Sequence, residues 1–88
     1  MKYNHQYLSI VLNVKARTDR DGCFILPANL CNLFNFEPDD EIHLILENKD
    51  GYKYNGKMKI NSNYEICGNE IESVVKAGQI IKVTIFNK

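Results

Sequence analysis

The residues best equipped for chemistry crowd into "KARTDRDG" (residues 15–22), where Lys15, Arg17, Thr18 and Arg20 form the one basic cluster inside an expected loop. Arginine can fork onto guanine or onto a phosphate, which makes Arg17 and Arg20 the natural contacts to double-stranded DNA. Asp19 and Asp21 cancel that charge locally, so a solvated turn explains the same residues. A second cationic feature is "KYNGKMK", which sets Lys53, Lys57 and Lys59 on one face of a strand. Three phosphate contacts there would add about 2.7 to the negative salt slope, at roughly 0.9 per contact. The lysines also suit an outward strand face kept in water. Asn61, Ser62 and Asn63 offer short amide and hydroxyl groups for base edges in the major groove, yet they are equally what a turn prefers. Ile45 and Phe86 occupy polar-side positions in the last strands of two repeated units, and two outward apolar residues at equivalent sites suggest a contact surface for self-association or for a protein partner.

Other chemistries find little support. The run "EPDDE" (residues 37–41) reads as a helix-to-strand turn, since paired carboxylates need a cleft to act as acid and base. His43 falls mid-strand on an outward face with no neighbouring nucleophile. Cys23, Cys31 and Cys67 are odd in number and contain no CxxC pair. With His5 and His43 they spell no metal site, so reduced structural thiols in a cytoplasmic protein are expected. No glycine-rich phosphate loop or nucleophile elbow occurs. The expectation is a protein with no enzymatic activity, no metal and no cofactor. The opening "MKYNHQYLSI" is not a signal peptide, and no apolar run reaches the eighteen or so residues of a membrane span. Eleven basic residues balance eleven acidic ones, which excludes a strongly basic nucleic-acid binder but not a local basic patch.

These residues must be held by something, and 88 residues make one small domain, 1–88. The chain repeats itself. "CFILPANLCNLFNFEPDDEIHLILENK" aligns with "YEICGNEIESVVKAGQIIKVTIFNK" when a two-residue gap follows Phe34. Ile25 then falls on Ile66, Leu30 on Ile71, Leu33-Phe34 on Val74-Val75, and Ile42, Leu44 and Leu46 on Ile81, Val83 and Ile85. Each unit reads as strand, short helix, strand. Leu30, Leu33 and Phe34 make the buried stripe of the first helix, and Ile71, Val74 and Val75 that of the second. Pro27 ends a strand and opens the first helix; Asn69 caps the second. A further alternating strand precedes each unit: "YLSIVLNVKAR" and "GYKYNGKMKI". The expected fold is mainly β with two short helices. It is a pseudo-twofold, cradle-loop barrel of six or seven strands, built from strand–strand–helix–strand repeats over about 7–49 and 52–88.

The stretch from Lys15 to Glu47 resembles the AbrB/MazE/SpoVT swapped-hairpin domains. Asp19, Gly22, Phe24, Ile25, Leu26 and Pro27 fill the family's Asp-x-x-Gly…Pro frame without a gap, and Leu30, Phe34, Phe36, Asp40, Ile42 and Leu44 continue it. Cys23 replaces the arginine that usually follows the glycine, and Cys31 and Asn32 replace basic helix residues. The doubled unit in one chain resembles the pseudobarrel DNA-binding domains of plant auxin-response factors and restriction enzymes, with "KAGQIIKVTIF" as the last element. The resemblance implies a small DNA-binding transcriptional regulator that sends loops Arg17–Gly22 and Asn61–Asn63 into the major groove. The zero net charge and missing arginines favour an alternative: a protein-binding module, such as an antitoxin or phage-encoded inhibitor. The specificity domain of a restriction system is a third option.

Overall fold

In a computed structural model, described here for residues 8–87, the strands come in matched sets. Strands β1 (Ser9–Lys15), β2 (Cys23–Ile25) and β3 (Glu41–Glu47) have lengths of seven, three and seven residues, with helix α1 (Ala28–Phe34) between β2 and β3. Strands β4 (Lys53–Lys59), β5 (Glu65–Cys67) and β6 (Ile80–Phe86) repeat those lengths, with a 3-10 turn at Asn69–Ile71 in the helix position. The long strands form one antiparallel sheet in the order β1-β6-β3-β4, and β2 pairs with β5 in a separate two-stranded sheet.

Both sheets obey one approximate twofold axis. It passes through the pair Ile45–Thr84 at the centre of the large sheet and through Phe24–Ile66 at the centre of the small one. Backbone hydrogen bonds come in equivalent couples. Arg17 N–H to Cys23 O (3.0 Å) matches Asn61 N–H to Glu65 O (3.0 Å). Leu26 N–H to Tyr64 O (2.9 Å) matches Gly68 N–H to Gly22 O (3.0 Å). Gly22 and Tyr64 both take positive φ, as do Asp39 and Gly78. Asp39 follows Pro38 in a turn closed by Asp40 N–H to Glu37 O, where a type II geometry demands φ > 0 at the third residue.

Alternation on β3 and β6 buries Ile42, Leu44, Leu46, Ile81, Val83 and Ile85 against Phe24 and Ile66 of the small sheet. Leu30, Phe34, Ile71 and Val75 close the sides. Each such side chain contributes about 1.5–3 kcal/mol of burial, offset largely by chain entropy.

The structure revises four expectations. The six strands divide into a four-stranded and a two-stranded ladder, joined at one corner by the bridge Ala16–Phe24 and at the equivalent corner by the Asn61 N–H to Glu65 O bond, and not into one continuous barrel ladder. The second helix is only the 3-10 turn. Asn69 lies inside that turn instead of capping it, and its carbonyl accepts Glu72 N–H at 3.2 Å. Helix α1 buries Leu30, Cys31 and Phe34, which rotates Leu33 outward to 54% exposure. The repeat in β2 shifts by one residue: Phe24, not Ile25, is the partner of Ile66, and Ile25 points to solvent. A one-residue slip in a strand exchanges its faces.

Candidate interaction surfaces

The loop between β1 and β2 is held by carboxylates. Arg17 forks onto Asp19, with Nε to Oδ1 at 2.9 Å and Nη2 to Oδ2 at 2.8 Å, while its Nη1 reaches Glu65 Oε2 at 2.6 Å. Glu65 is buried on the outer side of β5, and Asn61 Nδ2 donates to its other oxygen at 3.1 Å. The bases of the two hairpin loops therefore meet on one carboxylate. Asn61 also folds its own turn, because its Oδ1 accepts the N–H groups of Asn63 and Glu65, both at 2.9 Å. The Asp19 carboxyl sits below the usual range because Arg17 bonds it. The Glu65 carboxyl is lowered chiefly by the Asn61 amide and then by Arg17, against the opposing effect of burial. Arg17 is correspondingly harder to deprotonate, through Asp19 first and Glu65 second. Asp21 accepts Ala77 N–H at 2.8 Å and faces Lys76 at 3.8 Å. Thr18 and Arg20 are exposed, and Arg20 forms no ion pair among the described residues.

Lys53, Lys57 and Lys59 do project from one face of β4 and are exposed. Two of them stand directly opposite acids on β3: Lys59 faces Glu41 and Lys53 faces Glu47, while Lys57 faces His43. Strands β1 and β4 run in opposite directions at the two edges of the sheet. Lys15 and Lys59 therefore end their strands at opposite ends of the sheet, although the loops that follow them converge at Glu65. Ser62 and Asn63 are exposed.

On the outer face of the large sheet, Ile45 and Phe86 are both half-buried, but they are not symmetry equivalents. Ile45 lies opposite Thr84. Phe86 stacks on the His43 ring at 4.5 Å between centroids, and His43 Nε2 shares a 2.6 Å hydrogen bond with Asn55 Oδ1. The pairs β1–β6 and β3–β6 set Val11, Thr84 and Ile45 in one row across the sheet.

Two features escaped the sequence reading. Cys23 and Cys67 are joined in a disulfide, so the expectation of three reduced thiols is corrected; Cys31 alone is free, and burial pushes its thiol pKa up. Antiparallel pairing about Phe24–Ile66 sets the first residue of β2 against the last residue of β5, with their Cα atoms 4.2 Å apart. The dyad itself brings together cysteines 44 positions apart. The second feature is Asn48. Its buried side chain accepts Asp50 N–H (2.9 Å) and Tyr52 N–H (3.1 Å), and it donates to Val74 O (3.3 Å), fastening the β3–β4 turn to the second repeat. An apolar groove of about 360 Å³ runs between β1 and α1, lined by Ile10, Leu12, Pro27, Leu30 and Leu33 with Asn29.

Among the described residues no helix is long and apolar enough to cross a membrane, and no group of three or more His, Cys, Asp or Glu is placed to hold a metal. No family model matches the chain, and no curated protein matches it. A solved structure does: the solution structure of PHS018 from Pyrococcus horikoshii superposes with a TM-score of 0.70 over 88% of each chain, at 16% identity. At that identity the likeness extends to the fold alone.

Proposed function

We propose that this protein is a small, non-catalytic module that binds another protein, using the AbrB-like or pseudobarrel scaffold without its grip on DNA. In this reading the two sheets are the walls of a cradle-type barrel that is left open between its two ladders. The observation that carries it is the fate of Arg17. The cation best placed to meet a base or phosphate is held by Asp19 and Glu65. Moving it to DNA would leave the buried Glu65 carboxylate without its cation, which is costly. On β4, Lys59 and Lys53 stand across from Glu41 and Glu47, and only Lys57 faces a residue that is not an acid, His43. The centre of the large sheet instead offers Val11, Thr84, Ile45 and Phe86, an uncharged strip of the sort found at interface cores.

The test is capture from the native host followed by reconstitution. One stoichiometric protein should bind the wild type and be lost with Ile45→Lys or Thr84→Lys, while both variants keep the wild-type circular dichroism spectrum. Retention of that partner by both variants refutes the assignment of this face. One observation favours the DNA-binding reading: Lys15 and Arg20 are exposed, and neither has an ion-pair partner among the described residues. In that reading they would contact phosphates with Thr18, and Asn61, Ser62 and Asn63 would serve from the second loop.

A further inference from the structure

The two edges of the large sheet are built differently. Edge strand β4 carries Lys53, Lys57 and Lys59, so pairing it with a copy of itself would set lysines near lysines. Edge strand β1 has no such protection. Its even-numbered residues face β6, as the bonds Asn87 N–H to Leu8 O (2.9 Å) and Ala16 N–H to Gln79 O (2.8 Å) at either end show. The N–H and C=O groups of Ser9, Val11 and Asn13 must then point to the open edge. Among the described residues the outer edge of β1 meets β2 only at the Ala16–Phe24 bridge and the adjoining Arg17 to Cys23 bond. Leu8, Val11 and Leu33 are 83%, 58% and 54% exposed beside it.

The charge pattern identifies the occupant. Residues 8–14 and 27–36, which make up β1, α1 and the groove between them, contain none of the chain's charged residues, although a quarter of the sequence is charged. A twofold interface sets each side chain against its own kind or near it, and only an uncharged face tolerates that without repulsion. We infer that β1 pairs antiparallel with β1 of a second copy about Val11, joining two four-stranded sheets into one of eight strands.

This register satisfies every constraint at once. Ser9 lies opposite the second copy's Asn13 and Val11 opposite its equivalent, so the groups that point outward hydrogen-bond each other. On the groove side Ile10 meets Leu12 and Leu8 meets Val14, apolar against apolar throughout. Lys15 falls outside the paired segment. The inference goes beyond the proposed function: it uses the strand edge and groove, shares only Val11 with the strip around Ile45, and is tested off that strip by Leu33→Asp.

A single strand pair with its flanking side chains belongs with the small, weak interfaces, so the dimer is sought at concentrations up to about 1 mM. Sedimentation equilibrium of the full chain from about 5 μM to about 1 mM tests it. The expected result is a monomer–dimer equilibrium that Val11→Lys weakens at least tenfold and Lys57→Ala leaves unchanged, with both variants melting as the wild type does. Leu33→Asp, on the groove and off the strand, weakens it in the same direction and covers the case in which the strand variant misfolds. A wild-type chain that stays monomeric at about 1 mM overturns the inference, as does a dimer that resists both substitutions. Either result leaves the Ile45 capture experiment unaffected.

Discussion

Reducing the Cys23–Cys67 bond should cost this protein a large share of its stability, and the fold sets the size of that share. The bond closes a sequence loop of 44 residues and ties the first repeat to the second at the small sheet. The chain-entropy model gives about 4 kcal/mol for a loop of that length. A domain of this size is stable by about 4–13 kcal/mol in all. At about 4–8 °C per kcal/mol, the reduced protein should melt roughly 15–30 °C below the oxidised one. The assay is thermal denaturation by circular dichroism with and without a phosphine reductant, on samples whose thiols are counted under denaturing conditions. The oxidised chain should show the single thiol of Cys31, and the reduced chain all three. Cys67→Ala should reproduce the reduced melt within a few degrees. A verified reduction that moves the midpoint by less than about 5 °C refutes the claim that the two repeats are held together through this bond.

Other outcomes follow from the same geometry. Leu44→Ala removes a fully buried side chain from the centre of β3 and should cost about 3–5 kcal/mol in urea denaturation. Asp39→Gly should stabilise the protein by about 0.5–1 kcal/mol, since Asp39 holds a φ of 76° that its equivalent Gly78 adopts without a side chain. Gly22→Ala should do the reverse and more: its φ is positive, and an added methyl would meet Glu72 Cγ and Gly68 O at 2.9 Å. The Asp19 and Glu65 carboxyls lie below their unfolded values. Their contribution is therefore present above the ordinary carboxylate pKa of about 4 and is lost as pH falls through the folded values. Urea midpoints should drop as pH is lowered past that range, and Arg17→Gln should flatten the drop.

The parts of this molecule legible in its sequence are those where periodicity ran long enough to fix a face. Ile42, Leu44 and Leu46 on β3 and Ile81, Val83 and Ile85 on β6 alternate over seven residues, and all six are buried as expected. Met58, Ile60 and the lysines of β4 also fall on the faces their alternation assigns. Three-residue strands carry no such redundancy. In β2 either Phe24 or Ile25 could have faced inward, and only pairing with β5 selects Phe24. The spacing of Ile71, Val74 and Val75 matched a helix, yet only Ile71 lies in the 3-10 turn, and Val74 and Val75 are buried from the irregular turn that follows it. The candidate site was harder still. Arg17 and Asp19 are neighbours whose mutual cancellation could be seen in the sequence, but Glu65 joins them only across the small sheet. The disulfide had one available signal, a cysteine at opposite ends of two equivalent short strands, and it becomes visible only once those strands are paired about the dyad.

The claim on which the functional account turns is that Arg17, the loop cation best placed for DNA, already has partners inside the fold. Fluorescence anisotropy of a labelled random duplex, titrated with the full chain at about 50 mM and about 200 mM salt, addresses it directly. The account predicts no saturable binding up to about 100 μM protein at the lower salt, where ordinary non-specific binders, with dissociation constants of about 1–100 μM at physiological salt, bind more tightly still. Saturable binding that weakens with salt and is abolished by Arg17→Ala/Arg20→Ala would contradict it, and would return the loops to DNA.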